Sequence, residues 1–211
     1  MSTTPPLPPW PPTRPAAGSV VLRPFEDADV PMVQDLSTDP YVPLIGTLPS
    51  RCDAPEALAY MERQRLRHPD GTGFSFAIAD TGTGHALGMI GLWLRELASG
   101  RAQIGYAVAP RARGRGAGSD ALRAVVGFAW TLPQLHRLEL HVEPWNMPSV
   151  AVAHRAGFEY EGTLRSYREI GGVRRDLDAY ALIRTAPPDT VGPPETGMPT
   201  VITDGRPTSA P

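Results

Sequence analysis

Between residues 111 and 119 the chain reads Arg-Ala-Arg-Gly-Arg-Gly-Ala-Gly-Ser, cations and small residues that let backbone amides come up against an anion. Upstream, Gln103-Ile104-Gly105-Tyr106-Ala107-Val108 reads as a strand, and downstream Ala121, Leu122, Val125, Val126 and Ala129 recur at helical spacing. The turn therefore opens a helix, whose first amides lack partners and carry the positive end of the helix dipole. Arg113, Gly114, Arg115, Gly116, Ala117, Gly118 and Ser119 are thus a candidate pyrophosphate cradle. A Walker loop is excluded, because it needs a lysine after its last glycine and the chain contains no lysine. A dinucleotide fingerprint also fails: Ser119 stands where the third glycine belongs, and Glu139 and Glu143 fit its acidic position poorly.

A second group of polar residues lies further on. Asn146-Met147-Pro148-Ser149 leads through Val150, Val152, Ala153 and His154 to Arg155-Ala156-Gly157-Phe158. Ser149 is placed to cap a short helix, and Gly157 suits the left-handed position that ends one. Before this unit, Arg137-Leu138-Glu139-Leu140-His141-Val142-Glu143 alternates apolar and polar side chains, so His141 and Glu143 share a face of a strand. The imidazole of His141 has a reference pKa suited to a base.

The form Arg113-Gly114-x-Gly116-x-Gly118, followed one strand later by an N-x-x-S segment, a short helix and Ala-Gly-Phe, resembles the GCN5-related N-acetyltransferase (GNAT) family. Within it, the chain resembles the ribosomal-protein alanine N-acetyltransferases (RimJ/RimL type). Val21-Leu22-Arg23-Pro24 near the start, and Gly171-Gly172, Arg175-Asp176 and Tyr180-Ala181-Leu182-Ile183 near the end, match that subgroup. The resemblance implies an acetyl-CoA-dependent N-acetyltransferase acting on a primary amine, either a protein N-terminus or a small molecule. It implies a thioester held between two splayed strands, around Tyr106 and His141, with backbone groups of Tyr106, Ala107 and Val108 pairing with the pantetheine arm. By the same resemblance Asn146 bonds the pantetheine amide or positions the sulfur, and Ser149 donates a proton to the departing thiolate. The base stays open. His141 occupies a place where related enzymes carry glutamate, Glu143 could act through a water, and the acidic position before the Gly-Gly turn falls here on Arg168, beside Glu169. A non-catalytic acyl-CoA-binding module is the alternative.

These groups need a scaffold, and 211 residues supply one domain with one good core. The sequence predicts strands at 19–23, 74–80, 86–94, 101–108, 136–142, 158–161 and 179–184. Helices are expected after Asp29 and Asp53 and from about Ser119 to Trp130. The result is an α/β (α+β) fold, a mixed and mostly antiparallel central sheet flanked by helices. The domain is expected over 19–186. Seven prolines in Met1–Pro15 and seven in Pro187–Pro211 suggest disordered tails over 1–18 and 187–211.

A net charge of −2 gives no general pull toward nucleic acid. The single cysteine, Cys52, offers neither a disulfide framework nor zinc spacing, and no metal is expected. No apolar run reaches membrane-spanning length and no signal peptide is visible, so the expected setting is the cytoplasm, as monomer or homodimer. The acceptor pocket is expected to be lined by two loops, Pro40–Cys52 and Leu164–Arg175, which contain Tyr41, Arg165, Tyr167, Arg168 and Glu169.

Overall fold

Phe74, Phe76 and Ile78 alternate with Ser75, Ala77 and Ala79, so large side chains leave one face of their strand and small ones the other. A computed structural model of the chain describes residues 7–185. Its strands are β1 (Ala16–Ala17), β2 (Val20–Arg23), β3 (Gly73–Asp80), β4 (Ala86–Trp93), β5 (Arg101–Val108), β6 (Arg137–Val142), β7 (Glu159–Ile170) and β8 (Val173–Ile183). The helices are α1 (Val30–Ser37), α2 (Val42–Ile45), α3 (Ala54–Arg65), α4 (Ala117–Ala129) and α5 (Met147–Arg155). All eight strands lie in one sheet, ordered β1-β2-β3-β4-β5-β6-β8-β7.

Each face of the sheet has its own apolar cluster. Phe74, Phe76, Ile78, Ile90, Leu92, Ile104, Leu138 and Leu140 pack against Ala121, Leu122, Val125 and Phe128 of α4. On the other face Ala77, Met89 and Ala107 meet Met32, Val33 and Leu36 of α1 and Ala57, Tyr60 and Met61 of α3. α3 starts where expected, with Asp53 accepting from the Glu56 N–H at 2.9 Å and Glu56 accepting from the Asp53 N–H at 3.0 Å, a reciprocal capping box. The Leu-Arg-Pro segment also finds a structural use: Arg23 donates to both oxygens of Asp29, at 2.8 and 2.7 Å, with both side chains buried.

Every neighbouring pair in the sheet is antiparallel except β5 and β6. Those two register Arg101 with Arg137, Ala102 with Leu138 and Gln103 with Glu139, and no further. Beyond that point β5 stays paired to β4 as far as Val108, and β6 to β8 as far as Val142. A wedge is left between them.

Two expectations need correction. Residues 7–18 are not a free tail: β1 pairs with β2, and the Trp10 ring meets Phe74, Phe76 and His68 at centroid distances of 5.4, 4.9 and 5.7 Å. His68 Nε2 lies 2.9 Å from the Pro8 carbonyl. Proline density signals a stiff segment, and an apolar ring on such a segment docks at small entropic cost. We expect Trp10→Ala to destabilise the fold by about 2–3 kcal/mol, below the full-burial range because the ring is only half-buried. A thermal melt checks this, and an unchanged melting temperature would overturn it. Residues 1–6 and 186–211, including the expected C-terminal tail, lie outside the described residues.

The second correction concerns 164–175, expected as a loop. It forms instead the outer half of a long β7–β8 hairpin turning at Gly171-Gly172. The register shifts between Leu164 and Arg168, where Ser166 adopts φ 51° and its N–H bonds Asp176 Oδ1 at 2.7 Å.

Candidate active site

The loop after β5 ends in two left-handed glycines, Gly114 at φ 78° and Gly116 at φ 83°. A Cβ on either would meet nothing within 4 Å, so the backbone conformation requires glycine here and the space above the loop is open. Gly116 is the N-cap of α4, and no side chain caps the helix. The helix begins at Ala117, two residues before the expected start, which puts Gly118 and Ser119 inside its first turn. Gly118 lies under the Tyr106 ring, 3.2 Å from the position a Cβ would take. Among the described residues Arg115 is exposed and forms no ion pair, whereas Arg113 is engaged. Its Nε donates to the Val108 carbonyl at 3.0 Å and its Nη2 to Asp39 at 2.6 Å. Uncapped amides, open space and an uncommitted arginine fit a pyrophosphate, and the wedge between β5 and β6 fits the narrow chain that would follow it.

On the helical side of the wedge, α5 starts at Met147, with Pro148 in its first turn. The cap is Asn146, whose Oδ1 accepts from the Ser149 N–H at 3.2 Å. Ser149 is therefore not the cap, contrary to the sequence reading: a residue two places inside the helix cannot offer its hydroxyl to the orphan amides ahead of it. Its Oγ instead accepts from the Tyr106 hydroxyl at 3.3 Å. Burial pushes the Tyr106 phenol up. Gly157 takes φ 85°, with its N–H on His154 O and that of Phe158 on Ala153 O, the double bond of a Schellman close.

The opposite face holds the candidate bases, and they are not together in one arrangement. The His141 side chain is 12 % exposed. Its Nδ1 is 3.0 Å from Gln103 Nε2 and its ring meets that of Tyr167 at 5.2 Å. With Gln103 donating to Nδ1, the neutral ring keeps its proton on Nε2, which faces Glu139 at 3.9 Å. Burial pulls the His141 pKa below its ordinary value, against the pull of Glu139. The histidine lines a cavity of about 550 Å³ with Glu96, Arg101, Arg137, Glu139 and Tyr167. The acids there are already paired: Arg101 with Glu96 at 2.7 Å and Arg137 with Glu139 at 2.5 Å.

Glu143 has the opposite character. Its side chain is 3 % exposed, and Oε2 is buried without a hydrogen-bond partner among the described residues. Oε1 has Arg175 Nε at 3.7 Å. The Tyr41 phenol lies beside this carboxylate, driven above its ordinary pKa by burial first and then by Glu143. The Tyr41 ring stands edge to face with Trp145 at 5.0 Å. Sequence reasoning named Tyr41 only as part of a wall and did not single out Asp39 or Trp145. The signal for Asp39, an Asp-Pro pair after a helix, is shared with any turn. Among the described residues no group of three or more metal-ligating side chains converges, and no helix is long and apolar enough to cross a membrane.

Comparison with known proteins agrees with this geometry. The family described as acetyltransferase (GNAT) domain matches residues 19–159. An uncharacterized N-acetyltransferase, p20, of Bacillus licheniformis is 27 % identical over 165 residues, 78 % of this chain and 93 % of that protein. The [ribosomal protein uS5]-alanine N-acetyltransferase of Escherichia coli is 29 % identical over 126 residues, 59 % of this chain and 64 % of that one. Among solved structures, Mycobacterium smegmatis RimJ in complex with CoA-disulfide superposes with a TM-score of 0.67 at 30 % identity, covering 81 % of this chain and 84 % of that chain. The glycine–arginine loop, the wedge beside it and these matches together place the chain in the GNAT acetyltransferase family.

Proposed function

We propose that the protein transfers the acetyl group of acetyl-CoA directly to a primary amine, with Glu143 receiving the proton that the amine must lose. The observation that carries this reading is the unpartnered Oε2 of Glu143. A buried carboxylate oxygen without a donor is costly, and an acceptor ammonium supplies the missing donor. His141 is less suited, since its Nδ1 lone pair is taken by Gln103 and its Nε2 carries the proton.

Each step has a group on this chain. The amides of Ala117, Gly118 and Ser119, at the uncapped start of α4, and the exposed Arg115 hold the pyrophosphate. The edge of β5 left unpaired beyond Gln103 offers Tyr106, Ala107 and Val108 to the pantetheine arm and an N–H to the thioester oxygen. The bound thioester supplies an acyl carbon with a good leaving group. Glu143 takes a proton from the ammonium, which frees the nitrogen lone pair to attack that carbon. As the carbon–sulfur bond breaks, Ser149, held by the Tyr106 hydroxyl, passes its hydroxyl proton to the departing sulfur and is reprotonated by the second proton that the attacking nitrogen sheds as it becomes the amide, so no alkoxide is left. Asn146 caps α5 with its oxygen and keeps its amide N–H groups for the pantetheine.

The acceptor is a protein N-terminal amine or a small-molecule amine. Two cations stand at that end of the site: Arg175 Nε is 3.7 Å from Glu143 Oε1, and Arg168 lies directly across the β7–β8 ladder from Arg175. Such a field disfavours polyamines and favours amines that carry an anionic group nearby. A panel of N-terminal peptides and small amines incubated with the protein and acetyl-CoA, read by mass spectrometry and thiol release, tests this. Acetylation of acidic peptides ahead of spermidine is expected. Coenzyme A binding without turnover of any amine would overturn the enzymatic reading in favour of an acyl-CoA-binding module.

A further inference from the structure

The last turn of α1 and the segment between α1 and α2 reach across the molecule to the loop that opens α4. Asp35 accepts from the Arg111 N–H at 3.1 Å. Asp39, whose side chain is 9 % exposed, divides its two oxygens between two functional regions. Oδ1 accepts from the N–H groups of Tyr41 at 2.7 Å and Val42 at 2.9 Å, fixing the turn that carries Tyr41 to Glu143. Oδ2 accepts from Arg113 Nη2 at 2.6 Å, while Arg113 Nε holds the Val108 carbonyl at the end of β5. One carboxylate thus joins the residue beside the proposed base to the strand end and loop beside the proposed cofactor.

We propose that Asp39 is a positioning residue for acetyl transfer, which ties the placement of Tyr41 against Glu143 to the occupation of the cofactor loop through Arg113. The inference rests on the reading of Gly114–Ser119 as the pyrophosphate site. Anionic charge arriving there draws on the same guanidinium that Asp39 holds, because both acceptors compete for its donors. A shift of Arg113 changes the pull on Asp39 Oδ2, and Oδ1 of the same rigid carboxylate carries the Tyr41 and Val42 amides. The displacement is passed to the Tyr41 ring and to Trp145 packed against it.

The test uses the full chain labelled with 5-fluorotryptophan, and coenzyme A as the probe. The four tryptophans, at 10, 93, 130 and 145, give fluorine resonances of which Trp145→Phe identifies one. Addition of coenzyme A to the parent protein is expected to move the Trp145 resonance. Asp39→Asn keeps an oxygen for the Tyr41 and Val42 amides but removes the acceptor for Arg113. It should bind coenzyme A within about tenfold of the parent by calorimetry, a loss in the usual range of coupling energies, while the Trp145 resonance no longer responds. Arg113→Gln, measured at saturating coenzyme A, breaks the same link from the other side and should silence Trp145 as well. A Trp145 response of equal size in either variant would overturn the proposal, as would a parent protein that binds coenzyme A with Trp145 unmoved. Failure of the parent to bind coenzyme A at all would instead remove the loop assignment on which it rests, and the coupling with it.

Discussion

Glu143→Gln is expected to lower kcat by about 10²- to 10⁴-fold, the range for loss of a positioned proton acceptor. The substitution is nearly isosteric, and the amide cannot take the proton that the attacking amine must shed. Stability should hold. The partner at 3.7 Å, Arg175, is half exposed and stays hydrated, and replacing a buried carboxylate whose Oε2 has no hydrogen-bond partner among the described residues with a neutral amide lowers rather than raises the desolvation cost. KM for the amine should rise too, because the ammonium loses its counter-charge. His141→Gln is the control: its amide can still pair with Gln103, and its kcat should stay within about tenfold of the parent. Steady-state kinetics and thermal melts on the two variants check the assignment. A Glu143→Gln enzyme with unchanged kcat, or a His141→Gln enzyme that is dead but folded, would transfer the role to the histidine.

Ser149→Ala separates structure from chemistry with unusual clarity, since Asn146 and not Ser149 caps α5. Were Ser149 the cap, alanine would cost about 0.5–2 kcal/mol. With the cap elsewhere, the loss of stability should stay within about 0.5 kcal/mol, as for a substitution that leaves caps and core intact. The lost proton donor should nonetheless cost about 10²-fold in kcat with little change in KM. Asn146→Ala should show the converse stability pattern, losing about 1 kcal/mol. Tyr106→Phe should lower kcat by a smaller factor, because Tyr106 acts through Ser149. The measurements are thermal melting and thiol release, and a fully active Ser149→Ala enzyme would end the proposed role.

The elements that carry the cofactor loop were legible because their signals were local. Strand β5, the glycine–arginine turn and α4 follow one another within thirty residues, and each carries its own period. The capping box at Asp53 and the left-handed Gly157 were readable for the same reason. Other features depended on contacts distant in sequence. Nothing near Ser149 distinguishes a hydroxyl that caps from one that faces Tyr106, since both follow Asn-Met-Pro. The outer hairpin of β7 and β8 escaped notice because both its faces are largely exposed between Glu159 and Arg174. Without a buried face there is no alternation of apolar and polar residues to read. Trp10 looked like part of a proline tail because its partners, Phe74 and Phe76, are more than sixty positions away. Asp39 carries no motif of its own, and its importance exists only where Arg113 comes to meet it.

The division of the apolar residues into two clusters bears on how this scaffold can change over generations. Among the described residues, only Leu87 and Val108 pack against both. Substitutions well separated in space and sharing no partners contribute almost independently to stability. Repacking of Met32, Leu36, Tyr60 or Met61 therefore leaves the packing of α4 on the other face nearly untouched, whereas the segment before α4 shares their cluster through Ala109 and Ala112. Helix α4 and the sheet face it covers can thus be inherited intact while the other cluster changes, but the loop that opens α4 has Ala112 in one cluster and Ala117 in the other, so it is the place where the two histories must stay in step.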